Sequence, residues 1–108
     1  IRNEHRDGFR VIRPRGEIDL QVADELRDAL LDAVGAGGAV IVDMAGVSHI
    51  DSAGIASLVE AFQRARAYGQ TFRLAAVPES ALRVMRISHL DRVFRIHDTV
   101  AAAAGEDA

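Results

Sequence analysis

The serine at position 52 is the residue of this chain whose setting most directly suggests chemistry. Ser52 follows Asp51 within the segment SHIDSAGIASLVEAF, residues 48–62, where an apolar run gives way to a helical pattern. Both side chains can cap a helix, because their oxygens accept a hydrogen bond from a free backbone N–H of the first turn, which contributes about 1 kcal/mol. A hydroxyl at this place also suits the role of a phosphoryl acceptor. The residues alone leave both roles open.

The residues that follow Ser52 favour access to its hydroxyl. Ala53 and Gly54 have little or no side chain, so we expect a large partner to reach the oxygen. The positive end of the helix dipole and free N–H groups tolerate a phosphate, so the fold should survive modification. The added charge of about −1.5 to −2 would lie next to Asp51 and, if the fold brings them close, Asp19 or Asp43. A partner that buries this surface would therefore detect the change.

A catalytic role for Ser52 is not supported by its neighbours. His49 lies three residues earlier, but the G-x-S-x-G pattern is absent, and alternation with Ile50 predicts that His49 points away from the core. The four histidines lack the spacing of metal ligands, and a chain without lysine cannot contain a P-loop. We expect a protein that is not an enzyme and that holds no metal or cofactor.

The composition limits the classes of protein to consider. The 108 residues suffice for one domain, which we assign to 1–108, with the core at 9–103 and a frayed tail at 104–108. Sixteen acidic and thirteen scattered basic residues give a net charge of −3, which argues against a nucleic-acid partner. The chain lacks cysteine and any apolar stretch near the roughly 18 residues of a membrane span, so we expect a cytoplasmic protein without membrane contact.

The hydrophobic pattern predicts a hairpin followed by alternating helices and strands. We expect strands at 2–6 and 9–13 around an Asp7-Gly8 turn, then a helix ending at Gly35 and a central strand at 39–44. A helix at 52–68, a strand at 71–77 and a helix at 78–87 should follow, and the last of these helices should face inward with Leu82, with either Val84 or Met85, and with Ile87. An edge strand at 93–96 and a last helix capped by Asp98 complete the pattern. The alternation indicates an α/β fold: an antiparallel hairpin joined to a mostly parallel sheet of four to five strands, with about four helices.

The loop at 45–51 is predicted at the carboxyl end of the central strand, where parallel sheets gather their ligand and partner sites. Asp43 ends that strand, and it either accepts backbone hydrogen bonds of the loop or orients Ser52. Asp19 either caps the first helix or takes part in recognition.

Three segments together are similar to a known family. RGEIDLQVADELRDAL, VIVDMAGVSHIDSAGIASLVEAFQRARAYGQTFRLA and RISHLDRVFRIHDTV resemble, in order and spacing, the stand-alone STAS domains of bacteria that act as anti-sigma factor antagonists. The resemblance extends from about Phe9 to Ala103. It implies a STAS fold and a partner switch in transcription regulation.

In that family the serine after the aspartate of a D-S-x-G motif is phosphorylated by an anti-sigma factor that is a serine kinase with a histidine-kinase-like ATP fold. The unphosphorylated antagonist binds the anti-sigma factor and frees the sigma factor; the phosphorylated form dissociates, and a serine phosphatase resets it. The resemblance makes Ser52 the acceptor, Asp51 the motif acid and Gly54 the motif glycine, and it places Asp19 near them. The docking surface that we expect comprises Asp19, His49, Asp51, Ser52, Ala53, Gly54 and Ala56.

Two positions depart from the family pattern. Ala53 stands where members often have a second hydroxyl, so Ser52 is the only acceptor in the motif. His89 stands where the family usually has glycine, and we expect it to adopt a positive φ angle at small cost.

An alternative keeps the fold and changes the function. The chain would then be an accessory STAS subunit of a transporter, lipid-trafficking or signalling complex, with Ser52 unphosphorylated.

Overall fold

The computed structural model describes residues 1–6 and 8–105, and its first two strands form the predicted hairpin. Arg2–Arg6 pairs antiparallel with Phe9–Arg13, and Gly8 in the turn has a φ angle of +84°. A glycine adopts this left-handed conformation without strain, because it has no Cβ atom. Asp7, the other residue of the predicted turn, lies outside the described residues.

Seven strands form two separate sheets within the described part of the chain. In chain order they are β1 Arg2–Arg6, β2 Phe9–Arg13, β3 Gly16–Ile18, β4 Ala39–Asp43, β5 Val47–Ile50, β6 Phe72–Ala75 and β7 Arg95–His97. Five of them form one sheet in the order β1-β2-β4-β6-β7, in which every pair except β1 with β2 is parallel. This confirms the predicted fold class and the central position of the strand at 39–44.

The helices cover both faces of the larger sheet. Their bounds are α1 Leu20–Gly35, α2 Ser52–Ala67, α3 Glu79–Ile87 and α4 Val100–Ala104, with a short 3-10 helix at Leu90–Arg92. Val40 and Val42 face the core beneath α1 and α2, whereas Ile41 between them packs with Val100 and Ala103 of α4. None of these helices is long and apolar enough to cross a membrane.

The second sheet contradicts one prediction. We expected a loop at 45–51, but Val47–Ile50 forms β5 and pairs in parallel with β3, which was not predicted as a strand at all. Both strands have only three or four residues, so neither shows a periodic pattern that could identify it. Their pairing fixes where the two following helices begin.

Three smaller predictions concern the C-terminal third. Leu82 and Met85 of α3 pack in the core as predicted, with Ala81 beside them, and of the alternatives Val84 and Met85 the structure selects Met85. The prediction for Ile87 is wrong, because its side chain is 75% exposed. The cap of α4 is Thr99, whose Oγ1 accepts from Ala102 N at 3.0 Å, and not Asp98.

The prediction for His89 is confirmed. Its φ angle is +61°, in the left-handed region, immediately before the 3-10 helix.

Candidate functional site

Asp51, and not Ser52, caps helix α2. Asp51 Oδ1 accepts hydrogen bonds from the backbone N–H groups of Ala53 at 3.0 Å and Gly54 at 3.1 Å. The backbone of Asp51 is extended, with φ −93° and ψ −175°, as an N-cap residue requires. Ser52 is the first helical residue, so its hydroxyl has no capping duty.

The Ser52 side chain is exposed at the surface. Within residues 1–6 and 8–105 no group hydrogen-bonds its hydroxyl. The other hydroxyl of α2 belongs to Ser57, which is 6% exposed and whose Oγ lies 3.1 Å from both Ala23 O and Ala53 O. Of these two serines, only Ser52 is accessible to an enzyme.

Gly54 has a packing role that we did not predict. It is buried, and a Cβ atom at this position would lie 2.5 Å from Ile50 Cγ1 and 2.8 Å from Ile18 Cγ2. The glycine therefore allows α2 to lie directly on the ends of β3 and β5. We expected its small size to expose Ser52, but Gly54 faces the interior and presents no atoms to a partner.

Asp19 repeats the arrangement of Asp51 at the start of α1. Its Oδ1 accepts from Gln21 N at 3.0 Å and Val22 N at 3.1 Å, and its backbone angles, φ −97° and ψ −175°, match those of Asp51. Ile18 and Ile50 are partners in the small sheet, and Asp51 N donates to Ile18 O at 3.1 Å. The structure thus brings Asp19 and Asp51 side by side, each at the beginning of a helix.

The surface around Ser52 contains both predicted and unpredicted residues. His49 is exposed, as predicted, and it pairs across the small sheet with Glu17, which is also exposed. Ala56 is exposed one turn along α2, and Ala53 is half-buried. Sequence reasoning missed Leu20, which is 73% exposed and occupies in α1 the position that Ser52 occupies in α2. We call Leu20, Ser48, His49, Ser52 and Ala56 the helix-start surface.

Two contacts hold α1 and α2 together beneath this surface. One is the buried Ser57 hydroxyl, which reaches the α1 carbonyl of Ala23. The other is a bidentate ion pair in which Arg27 Nε lies 2.9 Å from Glu60 Oε1 and Arg27 Nη2 lies 2.9 Å from Oε2. The hydrogen bond from Arg27, assisted by its charge, lowers the pKa of Glu60. The two helix starts are therefore held in a fixed relation.

Asp43 is engaged in holding its own loop. Its Oδ1 accepts from Ala45 N at 3.0 Å, and its Oδ2 lies 3.0 Å from Arg13 Nε. Neither oxygen bonds to Ser52, so of the two roles considered for Asp43 the structure supports the one in the loop.

The comparison with protein families agrees with the fold. The STAS domain model matches residues 1–103. The chain belongs to the STAS domain family. Its fold, a mixed sheet with an antiparallel first pair and four helices, is the STAS fold.

Three solved structures of similar fold come from proteins with different functions. A candidate anti-sigma factor antagonist from Thermotoga maritima has 23% identity and a TM-score of 0.90, with 97% of this chain and 92% of that chain covered. An anti-sigma factor antagonist from Mycobacterium paratuberculosis has 25% identity and a TM-score of 0.85, with 94% and 86% covered. A sulfate transporter family protein from Wolinella succinogenes has 21% identity and a TM-score of 0.78, with 92% and 84% covered. The STAS fold by itself thus fits more than one function.

Proposed function

We propose that this STAS domain is an anti-sigma factor antagonist that is switched by phosphorylation of Ser52. The observation that carries the proposal is the exposed Ser52 hydroxyl, which Asp51 relieves of the capping role. The similarity to the antagonists from Thermotoga maritima and Mycobacterium paratuberculosis supports it. In this role the chain is a cytoplasmic binding protein and the substrate of other enzymes, and it has no catalytic activity of its own.

The partners follow from the chemistry of the switch. An anti-sigma factor serine kinase with a histidine-kinase-like ATP fold binds the helix-start surface. Its active site takes the proton of Ser52 Oγ while that oxygen attacks the γ-phosphorus of ATP and the bond to ADP breaks. A serine phosphatase adds water to the phosphoserine, releases inorganic phosphate and restores the hydroxyl.

The charge of the phosphate should affect the binding of a partner and not the stability of the fold. At the first position of α2 the phosphate meets the positive end of the helix dipole, which tolerates it. A partner that covers the helix-start surface must instead desolvate the new charge beside the carboxylates of Asp51 and Asp19. Phosphorylation should therefore leave the fold intact and weaken the complex.

Phosphorylation with the cognate kinase and ATP tests the site. We expect the intact mass to increase by one phosphate, the Ser52→Ala variant to stay unmodified, and the Ser48→Ala variant to react like the parent protein. Ser48 is a matched control because it is also an exposed serine of the helix-start surface. Phosphate on the Ser52→Ala variant would refute the assignment.

The charge argument has its own test. We expect Ser52→Asp to raise, about tenfold, the dissociation constant for the kinase that binds the unphosphorylated protein. The reason is that the new carboxylate loses its hydration when the kinase covers it. The asparagine of Ser52→Asn has the shape of aspartate without its charge, so this variant should bind nearly as well as the parent. Equal affinities of the Asp and Asn variants would show that charge is not what the partner detects.

A second candidate function is an accessory STAS subunit of a transporter, lipid-trafficking or signalling complex. The similarity to the Wolinella succinogenes transporter family protein favours it. Affinity purification of the tagged chain from its own cells separates the two functions. Recovery of a serine kinase without its sigma factor supports the switch, and recovery of a membrane complex with unmodified Ser52 supports the subunit.

A further inference from the structure

Leu20 is the only large apolar side chain of the helix-start surface. It is 73% exposed, and in the part of the chain that the structure describes only Ile87 is a more exposed large apolar residue. Single exposed leucines are ordinary on protein surfaces, so exposure alone does not assign a role to Leu20. Its place in the fold does.

The fold has no evident use for the Leu20 side chain. Asp19 supplies the cap of α1 through Gln21 N and Val22 N, and Leu20 lies outside the core cluster of the described residues. The first turn of α1 contains no acidic residue, although a carboxylate there would be stabilised by the positive end of the helix dipole. Local stability therefore does not explain a leucine at this position, whereas contact with a partner does.

Leu20 lies close to Ser52. Each is the first residue of its helix, and each comes two residues after one member of the Ile18–Ile50 pair in the small sheet. Neighbouring strands lie about 4.8 Å apart and packed helices about 8–10 Å apart, which places Leu20 and Ser52 within about 10 Å of each other. The Ser57 hydrogen bond and the ion pair between α1 and α2 keep this arrangement fixed.

A kinase that phosphorylates Ser52 must also cover Leu20. Phosphoryl transfer brings Ser52 Oγ to about 3 Å from the γ-phosphorus, so the active site closes around the start of α2. A specific interface covers about 800 Å² of each partner, which corresponds to a disc about 16 Å in radius. A contact centred near Ser52 therefore removes water from Leu20, and this favours binding where the kinase presents an apolar surface.

Burial of Leu20 also changes the cost of a charge on Ser52. Burying a phosphate or carboxylate costs more free energy in a dry interface than in one that keeps its water. A leucine packed against an apolar surface excludes water from the atoms around it. Leu20 should therefore increase both the affinity of the unphosphorylated protein and the loss of affinity on phosphorylation.

We propose that Leu20 is a specificity-determining residue of the switch, and that it inserts into an apolar pocket of the serine kinase within about 10 Å of the γ-phosphate of bound ATP. The inference rests on the proposed function and adds to it the chemistry of the kinase surface beside the active site. Leu20 anchors the unphosphorylated protein and makes the complex sensitive to charge on Ser52.

Calorimetric titration of the cognate kinase tests the anchor. ADP replaces ATP, so that no phosphate is transferred to Ser52. We expect Leu20→Ala to raise the dissociation constant about tenfold and Leu20→Gln to do the same, because glutamine keeps the length of the side chain but not its apolar character. Leu20→Met should bind within about twofold of the parent, since it restores an apolar chain.

Tyr68→Ala is the matched control for loss of exposed apolar surface. Tyr68 is 58% exposed, but it follows the other end of α2, about 24 Å along the helix axis from Ser52. We expect this variant to change the dissociation constant by less than about twofold. Equal losses for Tyr68→Ala and Leu20→Ala, or binding of Leu20→Ala within twofold of the parent, would overturn the proposal.

A double-mutant cycle with Ser52→Asp tests the coupling between the two positions. Ser52→Asp should raise the dissociation constant about tenfold in the parent but only about threefold in the Leu20→Ala background. Additive effects would refute the coupling. These results differ from a failure of the proposed function, in which the parent protein itself neither binds the kinase nor accepts phosphate on Ser52, and with which this inference also fails.

Discussion

The starts of α1 and α2 share one geometry but have different residues in their first turn. Each helix follows a strand of the small sheet and an aspartate that caps two backbone N–H groups. At the first helical position α1 has Leu20 and α2 has Ser52, and at the third α1 has Val22 and α2 has the buried Gly54. Capping is thus common to both helices, and only the residues around the cap make one of them a candidate switch.

The difference at the third position concerns how closely each helix approaches the small sheet. Val22 is half-buried and packs at the edge of the core, whereas Gly54 leaves no space for even a Cβ atom above Ile18 and Ile50. The start of α2 is therefore the more tightly packed of the two.

The largest expected effect comes from Gly54→Ala. The new Cβ atom must displace Ile50 and Ile18, and we expect a loss of about 1–3 kcal/mol in the free energy of unfolding, more than the helix-propensity gain of about 1 kcal/mol. Urea denaturation measures it. Gly35→Ala, at the end of α1, is the matched control, because a Cβ atom there meets no atom within 4 Å and should be neutral or stabilising. Similar changes in the free energy of unfolding for both variants would mean that Ile18 and Ile50 move away from the new Cβ atom at no cost in stability.

Removal of the two caps should have equal effects. Asp19→Ala and Asp51→Ala each leave two N–H groups without their acceptor, and each should lower the free energy of unfolding by about 1 kcal/mol. The same denaturation experiment compares them. A difference larger than about 1 kcal/mol between the two variants would break the equivalence of the helix starts.

Changes at the first helical position should hardly affect stability. Ser52→Ala removes an exposed hydroxyl without a partner and Leu20→Ala removes exposed apolar surface, so we expect each to change the free energy of unfolding by less than about 0.5 kcal/mol. A large loss for Ser52→Ala would reveal a structural role of the hydroxyl and weaken the proposed switch.

The smallest effect concerns the ion pair between the two helices. Because Arg27 lowers the pKa of Glu60, the pair stabilises the fold at pH values above the ordinary glutamate pKa, and this contribution is lost as the pH falls through the lowered value. Glu60→Gln should therefore lower the thermal unfolding midpoint slightly near neutral pH, and the difference from the parent should vanish in acid. Glu25→Gln, an exposed α1 glutamate, should show no such trend.

Long periodic elements of this fold were predictable from the sequence, and short nonlocal ones were not. The apolar run at 39–44 indicated the central strand, and the helix that ends at Gly35 was predicted from apolar residues at three-to-four spacing, among them Leu26, Leu30 and Ala33, which are buried in α1. Strands β3 and β5 were not predicted. In β5 the two middle residues, Ser48 and His49, are both exposed, so its burial does not alternate. Only pairing between distant residues defines such strands.

The candidate site could be located from residue types and the family resemblance, whereas the packing around it could not. Types and spacing drew attention to Asp51, Ser52 and the exposed His49, and the positive φ angle of His89 was expected because the family that the chain resembles usually has glycine there. The choice between Asp51 and Ser52 as cap, the burial of Gly54 and the hydrogen bonds of Ser57 depend on how α2 lies against β5 and α1. No local pattern contains that information.

Because Asp51 caps α2 and Ser52 does not, position 52 is suited to protein engineering. Since the aspartate alone secures the beginning of α2, position 52 can accept side chains of very different size and polarity while the scaffold still folds. A library of all amino acids at this one codon would thus test which side chains a partner of this surface tolerates, with few variants lost because they fail to fold.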